Sequence, residues 1–496
     1  MARRSVRLVT VLALMAHSIG WRMPKIRSKP TYGAPRPPIK VGESWPLGRI
    51  AFSLLPLTGA ERRKTVQASV VRGRIWTHDQ LQGVINVNVP VRQTVIKLDG
   101  GGLWVHNPVA PTQECVAMMR VLEAEHGPVR HIVLGTLGLE HKAFAGPFSR
   151  AFPQATVWLQ PGQWSFPLAL PLPLLGFPTG SKLRTLPLGS SSDASEGSRR
   201  GASRAVADAV PWANEIGYEM LGPLKFKSVG AFGETAFLHH ASGTLVLTDT
   251  ILKVEEEPPP ILQEDPRALL FHARDTISEE IRDSPEARRR GWRRISLFGL
   301  YFFPAAINVR LGSALSDLTR LPSTMNTLGE GAVPFNLYPW EWARDDSPAF
   351  NGLRSGRAGL LCAPILQALI LNRFPEELKE WVERVSRLKF KRIIPCHFAN
   401  NVRASPADFV SAFDFIHDNQ NVGGSDDSQS SKELGSGAAT SSTGRLSALR
   451  PRFWASTALP MDSENADFSF LLNASNVCTR VGITAAPLAG PLAGSN

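Results

Sequence analysis

Between Thr94 and Leu159 the chain alternates strand-like and helix-like segments, and this succession constrains its fold more than any other feature. Thr94–Leu98 and Leu103–His106, joined across Asp99-Gly100-Gly101-Gly102, read as a β-hairpin. Glu114–Glu125 follows as a helix, with Val116, Met119, Val121 and Leu122 at inward-facing spacing, and Gly127-Pro128 stops it. His131–Thr136 and Thr156–Leu159 then read as buried strands. Strand, helix, strand in this order is the grammar of a layered α/β fold.

The same grammar returns downstream. Order resumes at Glu215–Phe226, and a second hairpin runs from Glu234–His239 through Ala241-Ser242-Gly243 to Thr244–Thr248. Pro375–Leu388 is a helix with Pro at its first position and an apolar stripe of Leu378, Trp381, Val382 and Val385. Arg392–Pro395 enters a strand that ends at His397. The aromatic stretches Phe298–Phe303 and Trp340–Trp342 are expected to cover one face, the second as a candidate wall of a substrate site.

Outside these segments the composition changes. The chain holds 41 glycines and 39 prolines in 496 residues, many of them where no period is visible. Residues 189–205 form a Ser/Gly-rich insertion, and 419–496 reads as low-complexity and mostly disordered. Residues 1–42 carry nine Lys or Arg and no Asp or Glu. There Arg3, Arg4 and Arg7 precede the apolar run Leu8 to Ala16, and a basic, proline-containing stretch follows. This is the pattern of a signal-like segment followed by a transit-like one, the two-part leader of a plastid protein; a plain secretory signal is the alternative.

That leader also explains most of the net charge of +12, which otherwise suggests nucleic acid. The remaining dense run, Arg288, Arg289, Arg290, Arg293 and Arg294, is expected to be a solvated helix face. Nucleic acid is therefore not expected as a partner. No stretch reaches the length of apolar residues that a membrane span requires. Four cysteines, Cys115, Cys362, Cys396 and Cys478, have neither CxxC spacing nor the density of a disulfide scaffold.

The polar residues of interest stand just past strand ends, where a rigid sheet presents variable loops. Glu140 and His141 follow one strand, His239 and Asp249 close two others, and His397 closes the last. Two carboxylates with two or three imidazoles suit zinc, iron or manganese. Each has a blander reading. His141 can cap a helix, Glu140 can pair with Lys142 or Arg150, and Asp249 can be a turn residue. Cys396 and His397 alternate in a strand, so one of the two faces the core, and His240 beside His239 faces solvent. His106 is a weaker candidate, able to donate to a substrate or only to a loop. No Gly-x-Ser-x-Gly elbow, Walker loop or Gly-x-Gly-x-x-Gly competes with this constellation.

Six pieces, in order, carry a family resemblance: Leu-Trp-Val-His-Asn-Pro-Val-Ala-Pro-Thr (103–112), Leu-Glu-His-Lys (139–142), Pro-Gly-Gln-Trp-Ser-Phe-Pro (161–167), Phe-Leu-His (237–239), Thr-Leu-Val-Leu-Thr-Asp (244–249) and Ile-Pro-Cys-His-Phe (394–398). From about Trp45 to Phe415 the chain resembles the metallo-β-lactamase superfamily, and more closely its uncharacterised DUF4336 branch. The resemblance implies a four-layer αββα sandwich, here over residues 43–418. The superfamily's His-x-His-x-Asp-His signature falls on Thr136-Leu137-Gly138-Leu139-Glu140-His141. Two of its histidines are therefore replaced, by Thr136 and Gly138.

The resemblance also makes His239 the third histidine of the first metal, Asp249 the bridging carboxylate and His397 the last histidine. The first metal then keeps too few ligands. The second keeps Glu140, His141, Asp249 and His397, which implies one divalent ion of zinc, iron or manganese. Two functions follow as expectations. One is a mononuclear hydrolase of an ester, thioester or phosphoester of a small molecule; the other is a binding or scaffold protein that has lost catalysis.

Overall fold

The computed structural model describes residues 64–84, 87–165, 169–188, 210–227, 230–276, 279–309, 340–342, 345–416 and 466–488. The expected leader (1–42) and the Ser/Gly insertion (189–205) lie outside these residues, as do 419–465 and 489–496 of the expected low-complexity tail.

The first sheet is built from β1 (Val66–Val71), β2 (Ile75–Val84), β3 (Val87–Lys97), β4 (Leu103–His106), β5 (Val129–Leu134), β6 (Thr156–Leu159) and β7 (Leu183–Thr185), in that spatial order. Strands β1 to β4 pair antiparallel and β4 to β7 parallel. Parallel neighbours need a crossover. Helix α1 (Gln113–His126) supplies it between β4 and β5, and α2 (Leu139–Ala151) between β5 and β6.

The second sheet comes from β8 (Ile216–Lys225), β9 (Ala231–His239) and β10 (Thr244–Val246), with two later strands added at its edge. Two small pairs follow: β11 (Ile251–Lys253) with β14 (Leu360–Cys362), and β12 (Ile307–Val309) with β13 (Trp340–Trp342). Helix α3 (Pro285–Tyr301) precedes β12, and α4 (Pro375–Ser386) leads into β15 (Arg392–Ile394) and β16 (Val402–Arg403). The sheet order is β16-β15-β10-β9-β8, with β10 and β15 parallel.

Side-chain alternation turns these sheets into four layers. Trp104, Val133 and Trp158 of the first sheet meet Ile216, Tyr218, Phe237, Val246 and Ile394 of the second, filling the space between them. Their neighbours Leu103, Val105 and Ile132 point the other way, onto Met119, Leu122, Phe144 and Phe148 of α1 and α2. Leu245 and Ile393 likewise pack outward on Leu378, Trp381, Val382 and Val385 of α4. The result is the expected αββα sandwich.

Helix α1 starts at Thr112, whose hydroxyl accepts the Cys115 N–H, and ends at Gly127 with φ 95°. One expectation for it fails: Val121 is 58 % exposed. The buried stripe is Cys115, Met119 and Leu122, four and three residues apart, and Val121 falls off that face.

A further core cluster beside the sandwich corrects two more expectations. Trp340 and Trp342 line no substrate wall; they are buried against Phe298 of α3, at ring separations of 4.8 and 5.5 Å. Nor is the arginine run wholly solvated. Arg294 is buried, donates to Asp346 at 2.8 Å and stacks over Trp342. Arg288 and Arg289 do face outward, pairing with Asp283 and Glu257.

Within the stretch expected to lack structure, residues 469–480 form helix α5 (Ser469–Arg480). Phe468, Leu471 and Leu472 enter the same cluster as α3. Arg373, itself buried, donates to Ser475 Oγ at 2.8 Å and to the Ala485 carbonyl at 2.9 Å. A helix of 12 residues is marginal on its own; the cluster it completes is what orders it.

Candidate metal centre

Three strand ends of the sandwich converge on one point. After β5, Gly135 and Thr136 run beside β9, where Thr136 forms a bridge with Glu234. Gly138 then opens α2, placing Glu140 and His141 in its first turn. A carboxylate suits this end of a helix, where N–H groups point outward. After β10, the segment Leu247–Thr250 carries Asp249 inward. After β15, the Cys396 N–H donates to the Thr248 carbonyl at 3.2 Å, which sets His397 beside Asp249.

The geometry is tight. Asp249 Oδ1 lies 3.3 Å from His141 Nε2 and 3.1 Å from His397 Nε2, and the two Nε2 atoms are 3.2 Å apart. Glu140 completes the group, with all four ligand atoms within 4.8 Å of one another. His397 Nδ1 donates to the Pro90 carbonyl at 2.9 Å. Because a carbonyl only accepts, Nδ1 carries a proton, and this bond orients the ring so that Nε2 faces Asp249. Two imidazole nitrogens and a carboxylate oxygen at such separations match edges of a tetrahedron. Zinc–nitrogen bonds near 2.0–2.1 Å imply ligand separations of about 3.3 Å. The two imidazoles and Asp249 therefore fit a divalent ion, with the Glu140 carboxylate near enough to be drawn in as a fourth ligand.

The electrostatics agree. Burial alone would raise the Asp249 carboxyl, but His141 and His397 outweigh it and hold the group well below the usual carboxylate range. Burial would likewise lower His141, and the Asp249 charge reverses the shift. Behind Asp249 lies a fully buried carboxylate, Glu234, pushed up to about 7 by burial and by the Asp249 charge.

Neither basic partner suggested for Glu140 takes it. Lys142 is buried and donates to the Trp164 carbonyl, and Arg150 donates to the Gly176 carbonyl at 2.9 Å. Glu140 instead folds back over Gly138, where a Cβ would come within 3.2 Å of its carboxylate oxygen. Glycine at this position thus leaves room for the Glu140 carboxylate. The Thr136 hydroxyl accepts the Gly138 N–H at 3.0 Å, so its side chain closes a local turn.

The two weaker candidates part ways. His239 is not in the group. It sits at the far end of β9, paired across the hairpin with Thr244, and contacts Ser242 Oγ at 2.7 Å. His106 lies near the group, between the sheets, stacked parallel on Trp104 at 5.9 Å and edge-on to Phe237. Burial lowers its imidazole to about 3, with His141 adding to the shift. Neither of its ring nitrogens has a hydrogen-bond partner among the described residues. Cys396 faces the core, as strand alternation requires of one member of its pair, and burial pushes its thiol up. His240 is exposed.

Two residues that sequence reasoning did not single out hold the strand ends together. Asn107 is fully buried with φ 44°, a left-handed conformation that Asn tolerates better than most residues. Its Nδ2 donates to Thr248 Oγ1 at 2.9 Å and to Cys396 Sγ at 3.4 Å, and its Oδ1 accepts the Gly135 N–H at 3.1 Å. One side chain thus ties the segments leading to His141, Asp249 and His397. Glu234 is the other, and its only sequence signal was a carboxylate at the start of the strand expected over Glu234–His239.

Comparisons with known proteins bear on family and fold. Residues 72–415 match the family model described as a domain of unknown function, DUF4336. Among curated proteins none matches the chain. Solved structures with a similar arrangement include a metallo-β-lactamase from Pontibacter korlensis, 9 % identical, with 70 % of this chain and 98 % of that one covered and a TM-score of 0.30. A flavodiiron core, Flv1 from Synechocystis, is 9 % identical, with 69 % and 58 % covered and a TM-score of 0.30; this chain thus spans little more than half of it. A flavoprotein from Thermotoga maritima is 8 % identical, with 71 % and 62 % covered and a TM-score of 0.32. Among the described residues, no helix is long and apolar enough to cross a membrane.

Proposed function

The chain belongs to the DUF4336 family, and on that premise we propose that it is a mononuclear metal-dependent hydrolase of small esters, thioesters or phosphoesters. The observation that carries this reading is the convergence of His141 Nε2, His397 Nε2 and Asp249 Oδ1 at 3.1–3.3 Å, with Glu140 beside them. These four residues would hold the ion. A divalent ion so held supplies Lewis-acid polarisation of a carbonyl or phosphoryl oxygen and lowers the pKa of a water it binds.

The protein's own groups prepare that chemistry. Asp249 is kept ionised by the imidazoles, and the His397 ring is oriented by the Pro90 carbonyl. A single ion is favoured because Thr136 and Gly138 stand where the superfamily's first two histidines would be, and His239 faces away.

The test is turnover of p-nitrophenyl acetate, bis-p-nitrophenyl phosphate and an acyl thioester by the full chain loaded with zinc, iron or manganese. Asp249→Ala and His397→Ala should each lose about a hundredfold or more of whichever activity is present. Metal bound without turnover of any of the three would favour the non-catalytic binding protein instead.

A further inference from the structure

The carboxylate behind the centre has no part in the ligand set, yet three backbone N–H groups converge on it. Glu234 is fully buried on β9. Its Oε1 accepts the Thr248 N–H at 2.8 Å, and its Oε2 accepts the N–H groups of Asp249 at 3.0 Å and Thr250 at 2.8 Å. Three consecutive amides around one carboxylate form an anion-binding concavity, with charge-assisted bonds stronger than neutral ones.

The backbone on either side of Glu234 does the same for the neighbouring segment. The Thr235 N–H donates to the Gly135 carbonyl at 2.7 Å, and the Leu137 N–H to the Gly233 carbonyl at 3.2 Å. Residues 233–235 thus pin the approach to His141 through the main chain and the Asp249 loop through the Glu234 side chain. The Thr248 carbonyl passes the constraint on by accepting the Cys396 N–H next to His397.

We infer that Glu234 is a positioning residue of the centre: by binding the amides of 248–250 it fixes Asp249 so that Oδ1 faces both imidazoles. The inference rests on the metal-site reading above, though its first consequence is independent of metal. Glutamine cannot replace Glu234, because its amide nitrogen brings donors to face at least one backbone N–H. Aspartate is one methylene short of the same amides.

Two measurements on the full chain test this. In metal-free protein, amide hydrogen exchange of 248–250 should be at least about tenfold faster in Glu234→Gln than in wild type, with the rest of the second sheet unchanged. With Co2+ as the probe, followed by its visible absorption, Glu234→Gln should bind at least about tenfold more weakly and with an altered spectrum. Arg373→Met, a destabilising change at the distant α5 contact, serves as control and should alter neither readout.

Wild-type exchange at 248–250 in Glu234→Gln overturns the inference, as does an equal effect of Arg373→Met. Should Glu234→Gln fail to fold, Glu234→Asp is read in the same two assays against the same criteria. Wild-type protein that binds no Co2+ overturns the metal reading, and the exchange measurement still decides the role of Glu234.

Discussion

Replacing Asn107 by alanine should cost the fold about 2–6 kcal/mol, although the side chain is no ligand. The figure follows from what the amide holds. Removing Oδ1 strands the buried Gly135 N–H, and removing Nδ2 strands the Thr248 hydroxyl. Each unpaired buried group costs about 1–3 kcal/mol. The left-handed backbone at φ 44° adds little to this, because alanine and asparagine carry the same Cβ. The contact with Cys396 Sγ at 3.4 Å is weak and adds little. Equilibrium urea denaturation, extrapolated linearly, reads the loss directly. A double-mutant cycle with Thr248→Val should return a coupling of about 1 kcal/mol, because deleting both partners removes the stranded hydroxyl. A loss below about 1 kcal/mol for Asn107→Ala would refute the reasoning, because the strand ends would then be held by something else.

Stability should fall as pH drops below about 6.5. Burial lowers His78 to about 4 and His106 to about 3, so their stabilising contribution is complete above the unfolded pKa and is lost as pH falls toward the folded values. Each group changes stability by up to about 1.4 kcal/mol per pH unit; His131 and His239, both lowered to about 4, act with them, while His141 and Glu234, shifted upward, oppose them. Urea unfolding at pH 5 should therefore give about 2–4 kcal/mol less than at pH 7, and a flat profile would contradict the burial of these rings. His239→Ala should leave bound metal unchanged, measured by elemental analysis, because its ring contacts Ser242 at the opposite end of β9. A chain ending after residue 465 should lose about 5 kcal/mol with the burial of Phe468, Leu471 and Leu472, seen as a lower urea midpoint.

Much of the layered fold is written in local period. The stripe of α4 and the alternation of β4, β5 and β10 are short-range patterns, and each points to the layer it fills. The candidate site was legible for a related reason: Glu140, His141, Asp249 and His397 all follow ends of strands that run toward one edge. His239 was misplaced through a point of topology that the sequence does contain. In an antiparallel hairpin the residue closing the first strand lies beside the turn, and the residue closing the second lies at the opposite end. His239 and Asp249 close successive strands of one hairpin, so they cannot meet. Other features were hidden because their partners are distant in sequence. Arg294 is buried only because Asp346, fifty-two positions away, receives it. Asn107 looked like a loop residue until Thr248 and Cys396 came alongside. Trp340 and Trp342 carry no signal that separates a core aromatic from a substrate wall.

The central claim is a single divalent ion held by His141, His397, Asp249 and Glu140. Elemental analysis of the purified full chain after exposure to zinc, iron and manganese, each followed by exhaustive dialysis, tests it most directly. The account predicts about one equivalent of a preferred metal per chain, lost in His141→Ala and Asp249→Ala. Two equivalents per chain, or none, or retention in both variants, would contradict it.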